Sequence, residues 1–338
     1  MARKATARDV AREAGVSPAT VDRVLNNRGG VAAEKERAVV LAARRLGLDR
    51  ALHFRAARTL RVAVLIQAPS NPFHAALAAA IESERRGPNP FNLSFAVMHI
   101  EPGADREVAR AIDRAADDVD AVMICTSEQP EIADALARAA ERGKPVIALA
   151  TQFGPAVPHD YIGPDNVRAG RVAGDLLGRL IGPGGGEVIL VAGLFSMLGH
   201  AERREGFRAV LAARYPACRI IAELESAEDG RRAGELVADT LDRHPGAVGV
   251  YNASAGAREI GDVLRARGRS GAVTFVTHEL TEDGRALLKA GVIDAIIDQD
   301  PAREIRMAVA AIAARFGRTD PRPELTYTPV WIHMIENC

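Results

Sequence analysis

Along residues 6 to 46, apolar side chains recur at one-turn helical spacing in three short runs. Thr6 is placed to cap a first helix, Ala7 to Ala14, whose Val10, Ala11 and Ala14 share a face, and Gly15 supplies the left-handed residue that ends it. Ser17 caps a second helix. Pro18 occupies its first position, where a missing N–H costs nothing, and Val21, Val24 and Leu25 form its buried stripe. Pro18, Ala19, Asp22 and Arg23 are left facing outward. A third amphipathic run, Ala32 to Leu46, turns Val39, Val40, Ala43 and Leu46 inward and closes a small core. Two short helices joined by a turn, with the second free to enter the major groove, form a helix-turn-helix headpiece.

From Arg61 onward the period changes. Short β-rich runs (VAVLI, LSFAV, AVMIC, PVIAL, DYIG, then EVILVAG, RIIAEL, AVGVY, AVTFV and IDAIID) alternate with amphipathic helical stretches. That order predicts α/β architecture with parallel sheets covered by helices. Two sets of similar size predict two doubly wound lobes, with a ligand cleft at the carboxyl ends of their strands. At 338 residues and 48% hydrophobic composition, the chain has material for two cores besides the headpiece.

Charge sharpens the division. Residues 1 to 61 hold fourteen Lys and Arg against six Asp and Glu, a net of +8, so the whole-chain balance of zero leaves −8 on the rest. A basic amino-terminal part suits phosphate contacts and counterion release, whereas an acidic body is repelled by a duplex. The beginning of the chain has no apolar run of a secretory leader, and no segment has the length of a membrane span, so a cytoplasmic location is expected. Cys125, Cys218 and Cys338 lie far apart without metal-ligand spacing and read as unpaired thiols. The loop GPGGGE precedes a strand and opens no helix, so it is a poor phosphate cradle.

The segment VAREAGVSPATVDRVLN resembles the signature of the lactose-repressor (LacI/GalR) family of bacterial transcription regulators. The resemblance implies base reading by Pro18, Ala19 and Arg23, with Thr20 and Asn26 at phosphate-contacting or turn-supporting positions. Thr6, Ser17 and Arg28 complete the expected DNA-facing set. Arg23 can make a bidentate contact to guanine, worth roughly 1–3 kcal/mol of discrimination, while Ala19 offers only a methyl to thymine. Asp22 departs from the family, which usually has serine there. Its carboxylate repels phosphate unless it pairs with Arg23 or Arg28, or accepts from cytosine N4.

The remainder is similar to the periplasmic-binding-protein-like (type I) sensor domain of the same family. NPFHAAL, IGPDNVRAGRVAG, RREGFRAVL, YNASAGARE and AIIDQDP carry that resemblance. It implies a headpiece over residues 1–48, a linker over 49–61 and a sensor over 62–338. Within the sensor, one lobe takes about 62–162 and 299–322, the other about 163–298 and 323–338. The chain is expected to cross between lobes near Asp160 to Pro164, near Asp298, and again near Pro321 to Leu325. Asp165 and Asn166 are assigned to the crossover and a helix cap. Carried over from sugar-binding members, the cleft residues are Asn71, Phe73, His74, Glu128, Arg203, Asn252, Glu279 and Gln299. Their carboxylates and amides suit vicinal hydroxyls, Arg203 can fork two oxygens, and Phe73 can cover an apolar sugar face. His74 stands where such sites usually have a second aromatic.

The resemblance thus implies a ligand-responsive regulator, a repressor in the simplest case, with operator DNA, a sugar or polyol effector and a second copy of itself as partners. No cofactor is implied. Between headpiece and sensor the family places a helix that wedges a leucine into the minor groove. Here that stretch is about three residues shorter: Ala57-Arg58-Thr59-Leu60 is its nearest match, with Leu52 and Phe54 as other wedges, and Arg50, Arg55, Arg58 and Arg61 able to act by charge alone. Two other classes share parts of the pattern. A solute-binding protein of a transport system has the same body but a secretory signal in place of the headpiece; an enzyme with a Rossmann-like sheet needs a cofactor loop or nucleophile-base pair. Glu128 and Glu279 belong to opposite lobes without a His or Cys cluster, which speaks against an acid/base pair or metal site.

Overall fold

A computed structural model of the chain describes residues 5–26, 28, 30–46, 48, 58–319 and 327–338. Helices α1 (Ala7–Glu13), α2 (Pro18–Leu25) and α3 (Ala33–Arg45) open it. Their stripes meet in one cluster of Val10, Ala11, Val21, Val24, Val39, Val40, Ala42 and Ala43, with Leu25 and Leu46 packed against it. The turn between α1 and α2 passes through Gly15 at φ 65°, where a side chain would be strained.

The body begins with β1 (Leu60–Gln67), α4 (Pro72–Arg86), β2 (Leu93–Ile100), α5 (Asp105–Asp118), β3 (Ala121–Ile124), α6 (Pro130–Glu141), β4 (Val146–Leu149) and β5 (Asp160–Ile162). These strands form a parallel sheet in the order β2-β1-β3-β4-β5. The second half comprises α7 (Asn166–Ile181), β6 (Gly186–Ala192), α8 (Leu198–Arg214), β7 (Cys218–Glu225), α9 (Gly230–Arg243), β8 (Ala247–Asn252), α10 (Ala257–Ala266), β9 (Thr274–His278), α11 (Glu282–Lys289) and β10 (Ala295–Asp298). The chain then returns through α12 (Pro301–Arg315), which packs on α4 of the first lobe, and ends in β11 (Trp331–His333) on the second sheet. That sheet runs β11-β10-β9-β8-β6-β7, parallel except where β11 pairs antiparallel with β10.

Strand alternation explains the layering. Val62, Val64 and Ile66 of β1 face one cluster with Leu77, Ile81 and Ile312, while Ala63 and Leu65 face another with Ile112, Ile132 and Leu136. In β6, Ile189 and Val191 point toward α9 and α10, and Val188, Leu190 and Ala192 toward α7 and α8. Both sheets are therefore buried on two faces, which is why their strands read as near-continuous apolar runs. Among the described residues, no helix is long and apolar enough to cross a membrane.

Three readings of the sequence change. Leu60, a wedge candidate, is the first residue of β1, 1% exposed and paired with Leu93, so it belongs to the core and cannot enter a groove. Arg58 is ion-paired to Asp120 at 2.7 Å instead of standing ready as a loose cation. The strand β11 was not foreseen. Leu52, Phe54, Arg50 and Arg55, and most of the third crossover, lie outside the described residues.

Candidate nucleic-acid interface and ligand cleft

In the headpiece, hydroxyls set the helix starts. Thr6 Oγ1 accepts from the Asp9 N–H at 3.4 Å and the Asp9 carboxylate accepts from the Thr6 N–H at 2.9 Å, a reciprocal capping box. Ser17 Oγ accepts from the Thr20 N–H at 3.1 Å and lies 2.9 Å from the Thr20 hydroxyl. Thr6 thereby fixes the start of α1, and Ser17 with Thr20 the start of α2. Pro18, Ala19, Asp22 and Arg23 form an exposed face on it. Asp22 is not a bare charge there: its carboxylate accepts from Arg28 Nη1 at 2.8 Å and from Asn26 Nδ2 at 2.6 Å. Asn26 and Arg28 are thus tied to the departure at Asp22, and the pair removes part of the repulsion it would exert on a phosphate.

A cavity of about 210 Å³ opens between the lobes, lined by residues that follow the carboxyl ends of strands from both sheets. The first lobe contributes Asn71, Phe73 and His74 after β1, Cys125 after β3, and Ala150 and Thr151 after β4. The second contributes His200 and Arg203 from α8, Glu228 after β7, Ser254 after β8, and His278 and Glu279 at β9. Gln299, after β10, stands where the chain recrosses.

Close helix packing positions Arg203. A Cβ at Gly170 of α7 would lie 2.0 Å from the Arg203 carbonyl oxygen, so α7 and α8 approach to a distance that only a missing side chain permits. The guanidinium then donates to Asn166 Oδ1 (2.8 Å), the Ala253 carbonyl (2.9 Å) and Gln299 Oε1 (3.4 Å). Gln299 Nε2 in turn donates to Glu279 Oε1 at 2.5 Å. Across the gap, Asn71 Nδ2 donates to Glu228 Oε2 at 2.7 Å and the Gly199 N–H to Thr151 Oγ1 at 3.0 Å, so the lobes meet through hydrogen bonds.

The electrostatics are those of a dry site. Burial holds the His74 and His200 imidazoles down to about 3 and His278 well below its ordinary range, so all three are neutral. The Gln67 N–H donates to His74 Nδ1 at 3.1 Å, which places the ring proton on Nε2. Burial pushes the Glu228 carboxyl up to about 7 and the Glu279 carboxyl to about 8, the latter helped by Asp298. Ala150, Glu228 and Glu279 have φ of 59°, 64° and 68°, a left-handed conformation unusual for residues with side chains. Such strain persists only where surrounding structure enforces it.

The comparisons with known proteins fall on the same two parts. Residues 62–317 match the periplasmic binding protein domain, and residues 6–48 match bacterial regulatory proteins of the lacI family. Over most of its length the chain belongs to the periplasmic binding protein domain family, and its amino-terminal residues form a lacI-family domain. It joins a lacI-type DNA-binding domain to a periplasmic-binding-protein-like body. The HTH-type transcriptional regulator DegA of Bacillus subtilis is 31% identical over 209 residues, covering 61% of this chain but only 60% of DegA's length. The ribose import binding protein RbsB of Salmonella typhimurium is 26% identical over 71% of this chain and 79% of its own. Among solved structures, an ABC-transporter solute binding protein from Burkholderia graminis, in complex with D-arabinose, superposes with a TM-score of 0.75 at 21% identity. It covers 82% of this chain and 96% of that one, a likeness of fold.

In this regulator, six of the eight cleft residues read from sequence come together on the cavity wall: Asn71, Phe73, His74, Arg203, Glu279 and Gln299. Two do not. Glu128 turns away and accepts from the Gly154 N–H, which leaves it in the first lobe outside the lining. Asn252 is fully buried beneath the wall, donating to the Ser254 carbonyl (2.9 Å) and Thr277 Oγ1 (3.1 Å), where it braces the turn after β8. Asp165 caps α7 and accepts from the Arg168 N–H at 2.9 Å. Asn166 does more than mark the crossover, since it links Arg203 to the Ala150 carbonyl. Glu228, His200 and His278 were not among the residues carried over from the resemblance, although Glu228 follows β7, His200 lies in the first turn of α8 and His278 ends β9.

Proposed function

We propose that this regulator is a homodimeric repressor of the cytoplasm whose hold on a near-palindromic operator is set by a small polyhydroxylated metabolite, a sugar or polyol, bound in the cleft. The division that serves this reading is a headpiece over residues 1–48, a linker over 49–61 and a two-lobed sensor over 62–338. The observation that carries it is the polar lining drawn from both lobes and bridged by the Asn71–Glu228 bond: a ligand entering there must alter how the lobes meet. Coupling to DNA then equals the ligand's differential affinity for the two lobe arrangements, typically ~1–3 kcal/mol. The names of two relatives agree with the ligand class, one being a ribose import binding protein and the other in complex with D-arabinose. In the headpiece, Pro18, Ala19 and Arg23 read bases, and Thr6, Ser17, Thr20, Asn26 and Arg28 support the contact to the backbone.

The test is an operator titration with and without a ligand found by thermal shift against sugars and polyols. Arg23→Ala is expected to lose sequence preference while retaining non-specific, salt-sensitive binding. Preference unchanged in that variant refutes base reading by Arg23; operator affinity indifferent to a cleft ligand refutes the coupling.

A further inference from the structure

Unpaired carboxyl oxygens are buried in the walls of the cleft beside amides and a guanidinium that are bonded to other groups. Glu228 Oε1 and Glu279 Oε2 are buried without a hydrogen-bond partner. Asn71 Nδ2 donates to Gln67 and Glu228, the Arg203 guanidinium to Asn166, Ala253 and Gln299, and Gln299 Nε2 to Glu279. A hydroxyl group brings one donor together with two lone pairs that themselves need donors. An ammonium group donates three times and accepts nothing.

Charge points the same way. Four carboxyls, Glu228, Glu259, Glu279 and Asp283, line the cleft against Arg203 and Arg258, and Arg258 lies within 4.0 Å of Asp262 and 3.8 Å of Asp283. Burial keeps the three imidazoles neutral and raises Glu228 to about 7 and Glu279 to about 8, so a cation placed beside Glu228 would favour its ionised form. Glu228 is also held in place with unusual care. Ala227 and Glu228 are consecutive left-handed residues, fixed by bonds from the Ser226 N–H to the Ala192 carbonyl and from the Ala227 N–H to the Gly193 carbonyl, both 2.9 Å. The carboxylate lies over Gly193, where a Cβ would fall 1.5 Å from Oε1.

We propose that the ligand is a polyhydroxylated amine, an amino sugar or amino polyol, whose ammonium group docks on Glu228 Oε1 while its hydroxyls reach Glu279. Glu228 is the anchor because its hydrogen-bond partner is the neutral Asn71 amide, whereas Glu279 is linked through Gln299 to the Arg203 cation. The assignment rests on the reading of the cleft as a site for polyhydroxylated metabolites and goes beyond it in naming the charged group.

Calorimetric titration of the full chain with matched pairs tests it: D-glucosamine and D-glucose, D-galactosamine and D-galactose, N-methyl-D-glucamine and D-sorbitol. In at least one pair the amine is expected to bind about tenfold tighter or more, as a charge-assisted bond in a dry site requires. Glu228→Gln should bring that ratio to within about twofold, Glu228→Asp should restore part of it, and Glu279→Gln should weaken both members alike. Melting of each free variant checks folding, which Gln at position 228 should preserve because a buried carboxyl is costlier than an amide. Neutral members binding as tightly as their amines, or an unchanged ratio in Glu228→Gln, overturns the ammonium assignment and leaves the polyhydroxylated reading standing. Failure of all six probes overturns both.

Discussion

The Asn71 side-chain amide donates to Glu228 at 2.7 Å, joining two residues 157 positions apart that belong to opposite lobes. Asn71 also caps α4, its Oδ1 accepting from the Phe73 N–H at 3.1 Å. One side chain thus starts a helix of the first lobe and touches the strained loop of the second. Closure of the cleft is written into that double use.

Asn71→Asp separates the two roles. Aspartate keeps the cap and, above the pH at which Glu228 ionises, sets a second carboxylate against it, replacing attraction by repulsion. The ligand-free variant should favour an open cleft by about 1–3 kcal/mol relative to the parent, the worth of a hydrogen bond to a charged group. Small-angle scattering is expected to show a larger radius of gyration. A scattering curve identical to the parent's would mean that other contacts, such as Gly199 to Thr151, hold the lobes by themselves.

The pH dependence of stability follows from the buried acids and imidazoles. Glu228 and Glu279 are raised to about 7 and 8, and Glu304 rises too, burial being the main cause for each. The native state therefore holds these protons more tightly than the unfolded chain. The stability they contribute is complete at low pH and is lost as pH climbs through the folded values. His74, His200 and His278 act oppositely, since their lowered values make folding easier as pH rises toward 6.5. Above that point the carboxyls act alone. The ligand-free protein should lose a few kcal/mol of stability between about pH 6.5 and 8, read as a falling thermal midpoint, and Glu228→Gln should flatten the slope. A midpoint that climbs across this window contradicts the assignment.

The alternation of strands and helices was legible because both sheets are buried on two faces, so every strand left an apolar run bounded by amphipathic helix. The strand β11 was overlooked although Val330, Trp331 and Ile332 form a short apolar run: Trp331 and Ile332 are exposed, no amphipathic helix follows, and the pairing with β10 is antiparallel and distant in sequence. Cleft residues were legible through the resemblance to sugar-binding members, and the structure brings Asn71, Arg203, Glu279 and Gln299 to the wall. The resemblance could not say which way a side chain turns. Glu128 follows β3 yet turns to Gly154, while Glu228 follows β7 and turns inward because two successive residues adopt positive φ without a glycine to announce it. Leu60 was ambiguous for a related reason: a leucine before an apolar run suits a wedge and a strand's first residue equally well.

Asp22 separates this headpiece from its relatives in a measurable way. Its carboxylate is paired with Arg28 and Asn26 on the exposed side of α2. The pair is exposed and contributes little to folding, so Asp22→Ser should leave the melting of the headpiece nearly unchanged, within about 0.5 kcal/mol. Its effect on DNA should be larger. Removing a negative charge and releasing Arg28 toward phosphate is expected to tighten binding to any duplex and to steepen the salt dependence by about one ion. Unaltered affinity and slope would place Asp22 away from the backbone and make a contact to cytosine the better account.

Ala227→Gly examines whether strain in the loop after β7 serves the cleft. Ala227 sits at φ 56°, a conformation that costs an alanine of order 1 kcal/mol and costs glycine almost nothing. Ala227 is exposed beside the wholly buried Ser226, and it makes its bond to Gly193 through the backbone, which glycine retains. The free protein should therefore gain up to about 1 kcal/mol in chemical denaturation. Ligand affinity should move the other way, because a freer backbone at position 227 no longer fixes the direction of the neighbouring Glu228 carboxylate. A gain in stability with a loss of affinity would identify the left-handed pair as a device that aims Glu228; a variant that is less stable and binds as before would show that the loop's shape is dictated elsewhere.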